Sequence, residues 1–483
     1  MSLRDRLFEW LRPVAYLGNN GITLTGAALT TAAGITMVLF WLAELTSPRP
    51  PHPYLGILLL LILPGIFVAG LVLMPLGALW HRRRLRRQGL LTGGYPKVDF
   101  HEPLLRRAAM LVGVATVANV ALIGTASYKG VEYMDSNQFC GLTCHTVMAP
   151  EHTAFLNSPH SRVGCVQCHI GPGAPWFVQS KLSGVRQIFA VAFETYSRPI
   201  PSPVHELRPA RETCEQCHWP QKFHGDKFLV RTSYGDDAKN TPATTVLILK
   251  VGGRTWQGSV GIHGRHLDAV ERISYVSTDG RRQVIPRVTY LDDEGKLVEF
   301  VSEEVKIAPA DLARAEHRNM DCVDCHNRPT HAFEVPERAV DRAIDEGRIS
   351  RELPYVRKKA IEALKAQYPD RARAAQQIPA TLAEFYRTSY PDVYREHRAL
   401  VESASASVTA IYMRNVFPEM KVGWGVHPNH IGHEDFLGCF RCHDDKHKSA
   451  DGRTITQDCS ACHTILAMQE TNPKVLADLG LQQ

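Results

Sequence analysis

Residues 140–169 read Cys140-Gly-Leu-Thr-Cys144-His145, then Met148, His160 and Cys165-Val-Gln-Cys168-His169, and this stretch decides what kind of fold the chain can have. Two cysteines three residues apart followed at once by a histidine is the pattern in which both thiols add to one haem while the histidine reaches the iron. The spacing is chemical: the thiols must bridge two fixed points on a rigid ring while the backbone coils beneath it. Cys140–His145 carries one extra residue between its cysteines, which a looser turn absorbs.

The pattern recurs at Cys214–Cys217–His218, Cys322–Cys325–His326, Cys439–Cys442–His443 and Cys459–Cys462–His463. All 12 cysteines of the 483-residue chain fall into these six pairs, so no thiol remains for a disulfide. Chance would supply such a motif in about one chain in a hundred of this composition. A zinc ribbon needs two cysteine pairs per metal and no histidine after each, and a redox C-x-x-C would be needed once, not six times. The expectation is six covalently bound c-type haems, with His145, His169, His218, His326, His443 and His463 as proximal ligands.

An iron with two strong axial ligands carries electrons, whereas one with an open side can bind a substrate. The chain has 22 histidines. Thirteen non-proximal histidines beyond the membrane half are distal candidates, including His152, His205, His266, His317, His397, His427 and His447; the set singled out is Met148, His160, His224, His263, His331, His430 and His433. His427, His430 and His433 recur every third residue before the fifth motif, His331 follows the fourth, and His263 with His266 sits on a glycine-flanked turn. Met148 is the thioether candidate for the first haem.

Outward from the motifs, composition divides the chain. Apolar stretches at 22–45, 54–80 and 108–127 are each long enough to cross a bilayer. Arg4, Arg6 and Arg12 precede the first, and His-Arg-Arg-Arg-Leu-Arg-Arg from position 81 opens the loop after the second. The positive-inside rule puts both basic segments in the cytoplasm and everything after the third span in the periplasm. The formal charge of +6 would suggest an anionic partner, but each haem brings two propionates against about one positive charge on its ferric core, so six haems add about −6 and no nucleic-acid partner is implied.

The expected fold is mainly α: three transmembrane helices followed by a multihaem cytochrome c domain with a small antiparallel β insertion. Its divisions are a membrane domain at 1–130, a segment with haems 1–3 at 131–224, a β-rich insertion at 225–310, and a helical domain with haems 4–6 at 311–483. Alternating stretches around Thr244–Val251 and Val284–Leu291 predict the sheet. Helical spacing over 335–413 is punctuated by Pro354, Pro369, Pro379 and Pro391, read as breaks.

Cys140–Pro150, Asn157-Ser-Pro-His160, Cys165–Pro172 and Lys181 together resemble the NapC/NirT family of membrane-anchored quinol dehydrogenases. Arg211–Pro220, Gly261-Ile-His263, Met320–Pro329 and Asn429-His-Ile-Gly-His433 are similar to a larger subgroup, the inner-membrane multihaem cytochromes of metal-respiring bacteria. The chain departs from the small members of the family by three spans for one, six haems for four, and the longer first motif. The resemblance implies menaquinol as substrate, Lys181 at the quinol site, and a partner set of lipid bilayer, quinone pool and a periplasmic redox protein. Two other readings stay open: an electron-transfer subunit without a quinol site, and a terminal reductase of a small oxyanion, although the C-x-x-C-Lys motif of such reductases is not present in the sequence.

Overall fold

The computed structural model describes residues 18–46, 58–90, 103–143, 145–204, 208–223, 225–255, 258–267, 273–292 and 294–481. Cys144 and His224, and most of the basic segments at the chain's start and after residue 90, lie outside these residues. The chain forms two compact units, Met1–Cys144 and His145–Gln483.

The first unit is helical: α1 (Gly21–Thr46), α2 (Leu63–Arg87) and α3 (Pro103–Met134). Helices in lipid gain nothing from hiding apolar surface from one another, so they associate where small residues let backbones approach. That is the arrangement here. A Cβ on Gly26 would lie 2.7 Å from the Gly70 carbonyl oxygen, and Gly77 packs equally closely on Thr23. Thr23 Oγ1 also donates to the Met74 carbonyl at 3.2 Å, which sits one residue before Pro75.

Among the described residues two helices, Gly21–Leu42 and Leu63–Arg87, are long and apolar enough to cross a membrane, with only 17% of each apolar window buried. A core helix of a soluble protein would bury most of that window. The expected count of three spans is therefore corrected to two on this criterion. The third stretch, 108–127, is helical within α3, but α3 is a 32-residue helix that begins with Arg106 and Arg107 and continues to Lys129 and Glu132, and several of its side chains fall outside the described set. The second span also sits further along than expected, running into Arg82–Arg87.

In the second unit, α4 (His145–Leu156) and α5 (Ala174–Ala192) flank the second motif. Strands β1 (Lys227–Tyr234), β2 (Pro242–Leu249), β3 (Ile273–Ser277), β4 (Arg287–Leu291), β5 (Leu297–Ser302), β6 (Glu316–Asn319), β7 (His447–Ser449) and β8 (His463–Glu470) build two antiparallel sheets. Their orders are β1-β2-β8 and β6-β3-β4-β5-β7. The β-rich insertion is therefore not closed at residue 310. Strands just before the fourth motif, after the fifth and from the last residue of the sixth return to complete both sheets, and His463 itself pairs with Leu249.

The densest core lies among α6 (Pro336–Asp345), α7 (Val356–Lys365), α8 (Arg371–Ser389) and α9 (Arg398–Asn415), where Val340, Leu364, Ile378, Tyr386 and Val408 are wholly enclosed. Pro354 and Pro369 precede helices as expected, but Pro379 sits inside α8. Its missing N–H costs one helical bond, and the buried Ile378, Leu382 and Tyr386 around it hold the helix together regardless.

Candidate haem sites

Five of the six cysteine motifs fold as one tight turn. The backbone N–H of His218 donates to the Cys214 carbonyl at 2.8 Å, His326 to Cys322 at 2.8 Å, and His443 to Cys439 at 3.1 Å. That bond brings the histidine one turn beyond the first cysteine, as simultaneous attachment and ligation require. Asp321 and Asp324 cap the Cys322–Cys325 turn reciprocally, and Asp458 caps Cys459–Cys462. Cys140, the first cysteine of the longer motif, lies in a wide turn, Phe139–Thr143, with i→i+5 geometry.

Five of the proximal histidines face a second histidine. Ring centres are 5.9 Å apart for His160 and His218, 6.2 Å for His169 and His331, 6.3 Å for His263 and His326, 5.9 Å for His266 and His443, and 6.2 Å for His433 and His463. Direct ring packing does not require that separation. An iron held about 2 Å from one nitrogen of each ring, with ring centres roughly 1 Å further back, sets them about 6 Å apart. The residues present therefore fit five irons, each between two imidazoles.

The surroundings orient several of these rings. His331 Nδ1 donates to the Glu151 carbonyl at 2.9 Å, His266 Nδ1 to the Ile262 carbonyl at 2.8 Å, and His443 Nδ1 to the Thr456 carbonyl at 2.9 Å, leaving Nε2 to face a metal. Glu151 is itself held by both carboxylate oxygens on buried Arg328, at 2.9 Å each. The buried Nδ1 atoms of His160, His263 and His463 have no hydrogen-bond partner among the described residues, a costly arrangement unless the ring is otherwise engaged. Burial also lowers the pKa of His169, His263, His266, His326, His331 and His433, favouring the neutral ring that a metal needs.

The attachment thiols follow one another through space in chain order. Cys168 lies close enough to feel the charges of Cys214 and Cys217, and Cys214 is within hydrogen-bonding reach of Cys322. Cys325 and Cys462 each lie within electrostatic range of Cys439. Burial pushes the Cys325 thiol up to about 11 and Cys442 up to about 12, surroundings that suit an uncharged thioether sulfur better than a thiolate ligand.

Of the expected distal residues, His160, His263, His331 and His433 are brought opposite proximal histidines. His430 is not: its Nδ1 bonds the Asp324 carbonyl at 3.0 Å and its Nε2 contacts Gln283 Nε2 at 2.8 Å. Met148 is half-buried on α4, the helix that His145 opens. His266, among the thirteen candidates but outside the set singled out, faces His443 from the same helical turn, Gly261–Leu267, that presents His263 to His326. The signal is the i, i+3 pair itself: two histidines on one turn can serve two neighbouring sites. His447 is spent on Asp444 and the Ile285 carbonyl. His427 is buried against Phe333, its ring centre 5.7 Å away. Lys181 lies on α5 with Nζ 4.7 Å from the Phe177 ring centre.

Residues 104–200 match the sequence model described as the NapC/NirT cytochrome c family, N-terminal region. Over 456 residues the chain is 42% identical to the cytochrome c-type protein ImcH of Geobacter sulfurreducens, covering 94% of this chain and 89% of that protein. It is 27% identical over 93 residues to the cytochrome c-type protein NrfH of Wolinella succinogenes, covering 19% of this chain and 52% of that protein. No solved structure matches.

Proposed function

Because the chain belongs to the NapC/NirT family of membrane-anchored multihaem c-type cytochromes, we propose that it oxidises menaquinol and passes the electrons to a periplasmic redox partner. The six cysteine pairs would attach six haems, and the histidine pairs described above would hold five of them. The observation that carries this reading is that pairing. An iron with imidazole on both sides has no open position for substrate, so these sites suit electron transfer and disfavour reduction of a small oxyanion.

When bound, each haem would accept and release one electron at its iron. The chain's own residues fix the rest. His331 and His266 are oriented by carbonyl oxygens, burial favours the neutral form of the rings, and the thiols of successive motifs lie side by side from Cys168 to Cys462. Menaquinol gives up two electrons and two protons as it becomes menaquinone, so the entry site also needs a group that handles protons. Lys181, by its family resemblance, is that group.

Helix α3 contacts lipid in this reading. Val114, Val117 and Val120 on α3 are 64%, 70% and 65% exposed, the outward apolar face a lipid-contacting helix presents. The arginines at 82–87 and at 106–107 then share the cytoplasmic side, and the haem-bearing unit lies in the periplasm. Fewer than ten residues separate α3's last residue, Met134, from Cys140, so the chain's own reach holds the first haem near the bilayer.

Stopped-flow reduction of the purified chain by a menaquinol analogue tests the proposal. The wild type should be reduced rapidly without added subunits. Lys181→Leu should slow that reduction while dithionite reduction and the haem spectrum stay unchanged. A wild-type chain that only dithionite reduces would mean that the quinol site belongs to another subunit.

A further inference from the structure

Helix α5, Ala174–Ala192, is built inside out. At about 100° per residue, Val178, Leu182, Val185 and Phe189 fall on one narrow stripe, and they are 56%, 69%, 53% and 59% exposed. Ile188 and Phe193 extend the same surface at 59% and 72%. The helix is fastened to its unit by the opposite side. Trp176 lies under the Arg208 guanidinium, 5.7 Å from its ring centre, and Val191 packs against the cluster of Val147, Phe333 and Phe417. Ser180, half-buried, donates through Oγ to the Phe177 carbonyl at 2.7 Å. A helix of a water-facing domain shows the reverse pattern, with its apolar stripe against the body.

We propose that α5 lies in the plane of the bilayer interface, its Val178–Leu182–Val185–Phe189 stripe among the acyl chains of an anionic lipid surface. Three observations select lipid. The chain is already membrane-anchored, so the surface is at hand. The helix carries no acidic residue, and its two cations, Lys181 and Arg186, fall on either flank of the stripe, where their heads reach phosphates while their stems line the apolar face. The stripe is also made of large branched and aromatic side chains along four consecutive turns, which suits insertion to the headgroup boundary. A water-exposed patch of that size on a soluble surface would be an aggregation hazard.

The inference rests on membrane anchoring and not on quinol oxidation, so the two fail separately. The full chain is placed in nanodiscs containing phosphatidylglycerol with a photoactivatable probe in the lipid acyl chains, and the labelled peptides are mapped by mass spectrometry. The 178–193 peptide should label as strongly as α1 and α2 and several-fold above α8 and α9. Leu182→Asn with Phe189→Asn should lower that labelling several-fold with haem absorbance unchanged. Wild-type labelling no higher than that of α8 and α9 overturns the proposal, whether a protein partner or a haem covers the stripe instead, and loss of haem absorbance in the double variant identifies the haem. A chain that labels at α5 but is not reduced by menaquinol leaves this inference standing and removes the quinol reading.

Discussion

Asp324 stands between the two cysteines of the fourth motif and is 2% exposed. Its carboxylate accepts from Tyr275 Oη at 2.6 Å, from Arg318 Nε at 3.1 Å and from the Asp321 N–H at 2.7 Å, with Arg282 Nη1 at 3.6 Å. Replacing it by Asn keeps the shape and one acceptor oxygen but removes the charge that two enclosed guanidinium groups face. Breaking a buried pair in this way costs about 3–5 kcal/mol. Glu316 still holds Arg282 through two bonds, at 2.7 and 3.0 Å, which puts Asp324→Asn at the lower end, about 3 kcal/mol. Arg231 with Glu434 makes the control, since both side chains are more than 40% exposed and such a pair is worth less than about 1 kcal/mol. Denaturant unfolding followed by the tyrosine and haem signals should show a clearly lower midpoint for Asp324→Asn and a nearly unchanged one for Glu434→Gln. Loss of a negative charge in the motif should also raise the potential of one haem. If the two variants unfold at the same midpoint, the Asp324 network does not hold the fourth motif as argued.

Intact mass measurement should give the chain plus six haems, and an increment of five would leave the Cys140–Cys144 pair vacant. His266→Met should raise the potential and alter the spectrum of one haem, since a thioether opposite a histidine favours the reduced iron; unchanged potentiometry would remove His266 from the ligand set. Stability should fall with acid: burial holds the pKa values of His427 and His430 down to about 4, below the ordinary 6.5. The unfolded chain then binds protons that the native chain refuses, so this stability is complete above pH 6.5 and is lost as pH falls toward 4. Unfolding midpoints measured across that window should slope less steeply in His427→Phe than in the wild type, and equal slopes would mean that His427 titrates normally.

The tight turns at the cysteine motifs can be read from the sequence because each pattern confines two thiols and a histidine to one turn, and a turn is local. The facing histidines can be read only in part, since nothing local ties His331 to His169 or His160 to His218. The three-residue rhythm of His427, His430 and His433 illustrates the limit. All three look equivalent along the chain, but His433 turns toward His463, His430 toward the Asp324 carbonyl and His427 toward Phe333. Which way a ring points depends on what the distant chain places beside it. The sheets are hidden for a similar reason: β7 has three residues and β6 four, too few to show alternation, and β8 begins inside a haem motif.

The histidine pairing imposes a division of labour along the chain. Consecutive motifs are neighbours in space, through Cys168 with Cys214 and Cys217, Cys214 with Cys322, Cys325 with Cys439, and Cys439 with Cys462, so the attachment points run in sequence order. The facing rings break that order. His331 reaches back from beyond the fourth motif to the second, and the turn at His263 and His266 supplies both the fourth and the fifth. Each long excursion between motifs therefore leaves the line of attachment points intact and returns a ring to it. The sheet region carries His263 and His266 back and the helical core of α6–α9 precedes His433, whereas His160 and His331 come from short segments beside their own motifs.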